Sequence, residues 1–260
     1  MFTENLPSLD GAQIFDTHAH FDDEAFDADR AELLSEIHRY GVCGIINCAC
    51  NKKSVGTSLA LAHEYDYIYA AVGLHPEETE PLDIDFIRTA ASDEKCVAIG
   101  EIGLDYHWDS IPRELQKSNF EAQINLANEL NLPVIVHDRE AHADTLELLL
   151  KTAPRGVMHC FSGSVQTALE LTEAGMYVGF GGALTFKNAR KAVEVASQVP
   201  LERILLETDA PYMSPVPLRG QRCHSGMIIY AAQRLAEIKG MAVSDVLRET
   251  CRNAKRLFGI

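Results

Sequence analysis

Eight short apolar runs recur along the chain, and the stretches between them keep a different period. The runs are IFDTHAH, GVCGIINCA, YIYAAVGLH, CVAIGEIGL, LPVIVHDR, GVMHCF, MYVGFGG and RILLETDA. Among the intervening stretches, DADRAELLSEIHRYG brings Ala31, Leu34, Ile37 and His38 to one helical face. PRELQKSNFEAQINLANELN opens with Pro112 near a first turn and repeats Leu115, Phe120, Ile124 and Ala127 at near-helical spacing. The last stretch runs from Val243 with Ser244 as its cap and Gly259 as its stop. Strands alternating with helices of this length make parallel β/α units. Eight such units predict a closed (β/α)8 TIM barrel, for which about 250 residues are typical. Residues 1–260 are therefore expected to form one domain. The alternative, an open doubly wound sheet, usually shows G-x-G-x-x-G after its first strand, and that pattern is absent here.

Charge and cysteine content narrow the function. A formal net charge of -15, without a large Lys/Arg cluster, excludes a protein that wraps duplex DNA. It leaves room for a nucleic acid held at a strand end as substrate. No apolar run approaches the roughly 20 residues of a membrane span. MFTENLPSLDG lacks the basic and apolar regions of a secretory signal. A cytoplasmic protein without membrane partners is expected. The residues leave the oligomeric state open and are compatible with a monomer. The seven cysteines are scattered without a C-x-x-C pair and read as small buried hydrophobes in a reducing compartment. Cys48 and Cys50 could bind a metal, but the histidines make the stronger case.

Ionisable residues gather at the C-terminal ends of the runs, where a barrel places its active site. These are His18 and His20, His75, Glu101, His137, His159, Glu207 and Asp209. Strict alternation puts Asp16, His18 and His20 on one face, Val97 and Ile99 with Glu101, Ile135 with His137, Val157 with His159, and Leu205 with Glu207 and Asp209. Val134 and Val136 then face outward. Imidazoles and carboxylates converging in this way are costly to bury unpaired. They are a ligand set for Zn, Mn, Ni or Fe, whereas several nitrogen donors disfavour calcium. His18, His20, Glu101, His137, His159 and Asp209 are the expected ligands. Asp16 is expected to orient one of the histidines and Glu207 to stand behind the ligands. His75 is divided between substrate contact and loop packing. His38, His63, His107 and His142 lie on or beside helices and are expected outside the site.

The motifs DTHAHFD, GLHPEE, GEIGLDYHWD, PVIVHDRE, MHCFSGS, GFGGALTFK and LLETDAPY cover nearly the whole chain. In this order they resemble the TatD family of metal-dependent deoxyribonucleases, within the amidohydrolase-type barrels. H-x-H alone is a weak signal; GEIGLDY, HCFSGS and ETDAPY together are specific. The resemblance implies two adjacent divalent ions (Zn, Mn, Ni, Fe or Mg), the first held by His18, His20 and Asp209 and the second by His137 and His159, with Glu101 between them. Phosphotriesterase- and dihydroorotase-like relatives bridge their metals with a carboxylated lysine. The only lysine of that run, Lys95, stands at its wrong end. After the eighth run the family usually reads R-G-x-x-N-E-P. This chain reads RGQRCHSG, which leaves the substrate contacts of that loop open.

The resemblance implies hydrolysis of a phosphodiester from a 3′ end of DNA, single-stranded or frayed ends being preferred to duplex. Asp209 and Glu101 would be the catalytic carboxylates. Arg139, Arg219 and Arg222 are candidates for phosphate oxygens, and His75 for a terminal phosphate or leaving group. Asp105, four residues beyond Glu101, is expected only to shape the loop. The alternative keeps the metal site but hydrolyses an ester or amide of a small molecule or aminoacyl-tRNA. A non-catalytic barrel would have lost ligands, and none is lost.

Overall fold

The computed structural model describes residues 2–108 and 110–260; Asp109, the last residue of GEIGLDYHWD, lies outside them. Each expected run forms a strand. In chain order the elements are β1 (Ile14–Ala19), α1 (Arg30–Tyr40), β2 (Val42–Cys48), α2 (Lys52–Glu64), β3 (Ile68–Val72), α3 (Ile84–Ala90), β4 (Cys96–Asp105), α4 (Arg113–Leu130) and β5 (Val134–Arg139). They continue as α5 (His142–Thr152), β6 (Gly156–Met158), α6 (Val165–Glu173), β7 (Tyr177–Phe180), α7 (Arg190–Gln198), β8 (Ile204–Leu206), α8 (Ile228–Lys239) and α9 (Val243–Phe258). The strands form one parallel sheet in the order β1 to β8. The ring closes beyond β8, through a parallel bridge between Ala19 and Ala210. That closure lies among the candidate ligands: Asp209 N donates to His18 O at 2.9 Å and His20 N to Ala210 O at 2.8 Å.

Two apolar layers hold the barrel. Phe15, Ile46, Ala71, Ala98, Ile135, Val157, Tyr177 and Leu205 fill its interior. Ile14, Ile99, Val134, Val136, Met158, Val178 and Ile204 face the helices. Full burial of each large side chain contributes about 2 kcal/mol before conformational entropy is subtracted. Helix α9 adds Cys251, Ala254, Leu257 and Phe258 to the interior cluster. Its Asn253 donates to the carbonyls of Leu201 and Ile204, which places α9 at the end of the barrel opposite the mouth.

Several local expectations shift. Ser244 lies inside the first turn of α9, whose N-cap is Ala242 without a side-chain bond. Gly259 ends the helix with φ 74°, where glycine is least strained. The buried face of α1 runs through Leu33, Leu34 and Ile37, leaving Ala31 and His38 exposed. In α4, Leu115 is exposed and Gln116 is buried instead. Among the described residues, no helix is long and apolar enough to cross a membrane.

Alternation fails in β1 and β4, for one reason. Asp16 pairs with Ile45 and Ala19 with Asn47, so β1 spends three steps where β2 spends two. Likewise Ile99 pairs with Val134 and Ile102 with Val136. One extra residue in a strand re-aims the side chains that follow it. Phe15 is thus inside the barrel although His18 also turns inward. Ile99 faces the helices although Glu101 reaches the mouth. In β5, β6 and the β8 segment, Ile135, Val157 and Leu205 face inward as alternation requires.

Candidate metal centre

The slips in β1 and β4 bring His18, His20 and Glu101 together at the barrel mouth. His18 Nε2 and His20 Nε2 lie 3.1 Å apart. Cys48, at the end of β2, orients both rings: its carbonyl lies 2.8 Å from His20 Nδ1 and its sulfur 3.4 Å from His18 Nδ1. Asp16 does not orient either ring, contrary to expectation. It accepts from His18 N at 3.2 Å, Thr208 N at 3.1 Å and Thr208 Oγ1 at 2.6 Å, tying β1 to the segment after β8. Burial raises its carboxyl to about 6. Asp209 completes this side, its Oδ1 3.6 Å from His18 Nε2 and 3.5 Å from His20 Nε2. Its backbone is left-handed, φ 63°, at a cost of about 1 kcal/mol for a residue with a Cβ.

Glu101 divides the imidazoles into two groups. Its Oε2 lies 3.3 Å from His18 Nε2 and 3.8 Å from His20 Nε2. Its Oε1 lies 2.8 Å from His159 Nε2, 3.0 Å from His137 Nδ1 and 3.7 Å from His75 Nε2. Burial alone would raise this carboxyl, but His159, His18 and His75 outweigh it and hold Glu101 well below its ordinary range.

A second ring of contacts fixes the ligands. Asp105 is buried and does more than shape its loop: its Oδ2 lies 2.9 Å from His137 Nε2. Gln116 clasps the Asp105 backbone, accepting from its N–H at 2.8 Å and donating to its carbonyl at 2.9 Å, which explains why Gln116 is buried in α4. Burial pulls His137 down, yet the bonds to Asp105 and Glu101 carry it up to about 10. Glu207 stands behind His159 with Oε1 4.0 Å from Nδ1, and accepts from Cys160 N at 2.5 Å. His75 turns its ring edge to His137, and burial lowers it to about 3, so it is neutral.

His20, His75, Glu101, His137, His159 and Asp209 line a cavity of about 740 Å³, with His18, Asp105 and Glu207 behind its wall. Of the candidate arginines, Arg139 lines it. Arg219 and Arg222 do not, which corrects the expectation for the loop after β8. Arg219 stacks 3.9 Å from the Phe186 ring and donates to Ser214 O. Arg222 pairs with Asp29 at 2.7 Å and donates to Ala25 O at 2.6 Å. His38, His63, His107 and His142 are engaged elsewhere, with Val42 O, Asp93, Glu140 and Asp138. Cys50, set aside from the sequence in favour of the histidines, lines the cavity, as do Glu77, Glu78 and Tyr212, which were not singled out as site residues. Cys50 lies two residues beyond the end of β2, the strand-end position that the other site residues occupy.

The donor set suits a metal. Three-residue groups with ligand atoms within 4.8 Å of one another are His18/His20/Asp209, His18/Glu101/His159, His20/Cys50/Glu101 and His75/Glu101/His137. His20 Nδ1 must donate to the Cys48 carbonyl, so in the neutral ring Nε2 presents a lone pair toward His18 Nε2. Burial opposes a charge on His20, but Cys50, Asp209 and Glu101 outweigh it and raise the ring well above its ordinary value.

Comparisons with known proteins agree with that chemistry. A family model described as TatD related DNase matches residues 15–259. The uncharacterized metal-dependent hydrolase YabD of Bacillus subtilis is 41% identical, over 95% of this chain and 99% of its own length. The 3′-5′ ssDNA/RNA exonuclease TatD of Pantoea ananatis is 33% identical, over 95% of this chain and 100% of its own. The crystal structure of YjjV, a TatD homolog from Escherichia coli, superposes with a TM-score of 0.89 at 33% identity, covering 95% of this chain and 98% of that one.

Proposed function

This chain belongs to the TatD-related DNase family of metal-dependent hydrolases, and we propose that it hydrolyses phosphodiester bonds of single-stranded DNA from a 3′ end with two divalent ions. The division of Glu101 between two imidazole groups carries this reading. His18, His20 and Asp209 would hold one ion, His137 and His159 the other, and Glu101 both. When bound, two such ions would supply a water acidic enough to ionise near neutrality and positive charge for the phosphodiester oxygens.

The chain's own groups supply the rest. Asp209 takes the proton of the attacking water. Glu101 would offset the repulsion between two bound cations with its charge. His75, neutral in the cavity wall, offers a ring N–H to a terminal phosphate or leaving group. Arg139 meets nonbridging oxygens. Tyr212, 56% exposed on the cavity wall, offers a face on which an unpaired base can stack. The 3′ direction rests on relatives such as the Pantoea enzyme, whose name states it.

A second reading is hydrolysis of an ester or amide of a small molecule or aminoacyl-tRNA. Glu77 and Glu78 on the cavity wall favour it, because they repel a polyanion. The deciding experiment is product analysis of end-labelled single-stranded DNA incubated with pure protein and Mn²⁺ or Zn²⁺. Stepwise shortening from the 3′ end, abolished by a chelator, is expected. Intact DNA alongside metal-dependent cleavage of ester or amide substrates would establish the second reading instead.

A further inference from the structure

We propose that Cys50 is a metal ligand in this chain, adding a sulfur donor beside His20 and Glu101 and biasing the site toward zinc over manganese or magnesium. The inference rests on the reading of the mouth as a metal centre and specifies its donor set. Cys50 Sγ, a His20 ring nitrogen and a Glu101 oxygen lie within 4.8 Å of one another, on the wall of the mouth cavity. Three potential ligand atoms of different chemistry thus face one small volume.

The backbone holds the thiol there. Cys50 N donates to Ser54 Oγ at 2.8 Å, and Cys50 O accepts from His75 N at 2.8 Å. Ser54 is itself fixed by the capping box with Asn51 at the start of α2. The residue is therefore anchored from both sides, between the loop that carries His75 and the first turn of a helix. Anchoring of this kind is what a ligand position needs.

The other cysteines are placed differently. Cys48 sulfur lies on the Nδ1 side of His18, away from the Nε2 that faces the mouth. Cys160 lines the cavity but joins none of the three-donor groups among the described residues. Cys43 and Cys251 pair with each other, 3.6 Å apart. Ligation by Cys50 breaks its S–H bond: the proton leaves to solvent and the sulfur lone pair goes to the metal. A thiolate is a soft donor that suits zinc and suits magnesium or manganese poorly.

Cobalt(II) tests this without reference to turnover. Full-length protein stripped by a chelator is titrated with Co²⁺ and its absorption recorded. Wild type should show visible ligand-field bands and a near-ultraviolet thiolate-to-cobalt charge-transfer band. Cys50→Ser should keep the first and lose the second, while Cys160→Ser keeps both. Zn²⁺ affinity of Cys50→Ser should fall on the order of tenfold or more, with Mn²⁺ affinity unchanged. Ligand-field bands without a charge-transfer band in wild type, or a charge-transfer band that survives in Cys50→Ser, would overturn the proposal. Absence of every cobalt band in wild type would overturn the metal-centre reading with it.

Discussion

Asp105 meets His137 from the side of the ring opposite Glu101, with Oδ2 2.9 Å from Nε2 and Glu101 Oε1 3.0 Å from Nδ1. In the neutral ring that metal ligation requires, this carboxylate would hold the Nε2–H tautomer and leave the Nδ1 lone pair facing the mouth. Asp105→Asn keeps the size but removes the charge that holds this tautomer. Metal affinity at the His137 side should fall about 10–100-fold, and turnover at limiting metal should fall with it. Equilibrium dialysis and phosphodiester turnover measure both. Wild-type affinity and rate in this variant would mean that Asp105 only shapes its loop.

Glu101→Gln tests the carboxylate between the two imidazole groups. The amide preserves volume but cannot offset two cations. Hydrolysis should fall roughly a thousandfold or more, on the order of 4 kcal/mol of barrier, with far-ultraviolet circular dichroism unchanged. Near wild-type turnover under saturating Mn²⁺ or Zn²⁺ would rule out the two-metal mechanism.

Removing the paired imidazoles of β1 should act on metal content directly. The double variant His18→Ala/His20→Ala should bind at least one ion fewer per chain than wild type, read by elemental analysis after gel filtration. Equal metal in the two proteins would show that these residues are not ligands, however close their rings lie.

The barrel was legible because each run ends an apolar strand and each gap carries helical spacing. His137, His159 and Asp209 were legible for the same reason: inward residues Ile135, Val157 and Leu205 precede them at even intervals. His18 and Glu101 were assigned to the mouth through an alternation that β1 and β4 do not keep. An extra residue in a strand leaves no composition signal. The contact between Asp105 and His137 was not legible because the two stand 32 positions apart on different strands. Arg222 fits phosphate by residue type, yet Asp29 and the Phe26 ring already hold it, and only tertiary structure shows that.

That difference between the arginines predicts a separation in kinetics. Arg139→Ala should raise KM for single-stranded DNA by about tenfold, as expected for loss of a charged contact worth about 1.5 kcal/mol. It should also make the salt slope shallower by about one. Arg222→Ala should leave KM alone and cost about 1 kcal/mol or less of stability, because the Asp29 pair is only partly shielded from solvent. An Arg222→Ala variant with raised KM and a shallower salt slope would place that side chain on the substrate after all.

His224 gives a prediction independent of the mouth. It is buried, its Nδ1 has no hydrogen-bond partner among the described residues, and burial followed by the nearby Arg222 charge lowers it to about 4. The unfolded chain takes up this proton below about pH 6.5, while the folded chain resists until about pH 4. Between those values the unfolded state binds more protons, so stability falls as pH falls. From pH 7.5 to pH 5 the loss should be about 2 kcal/mol from this group, or 1.36 kcal/mol for each pH unit below about 6.5. His224→Gln cannot take up that proton. Urea denaturation of metal-free wild type and variant at both pH values isolates the effect, because the other titrating groups contribute to both proteins alike. The wild type should lose about 2 kcal/mol more than the variant on acidification. Equal losses would mean that His224 is protonated in the fold at pH 5 and that its buried environment accommodates the charge.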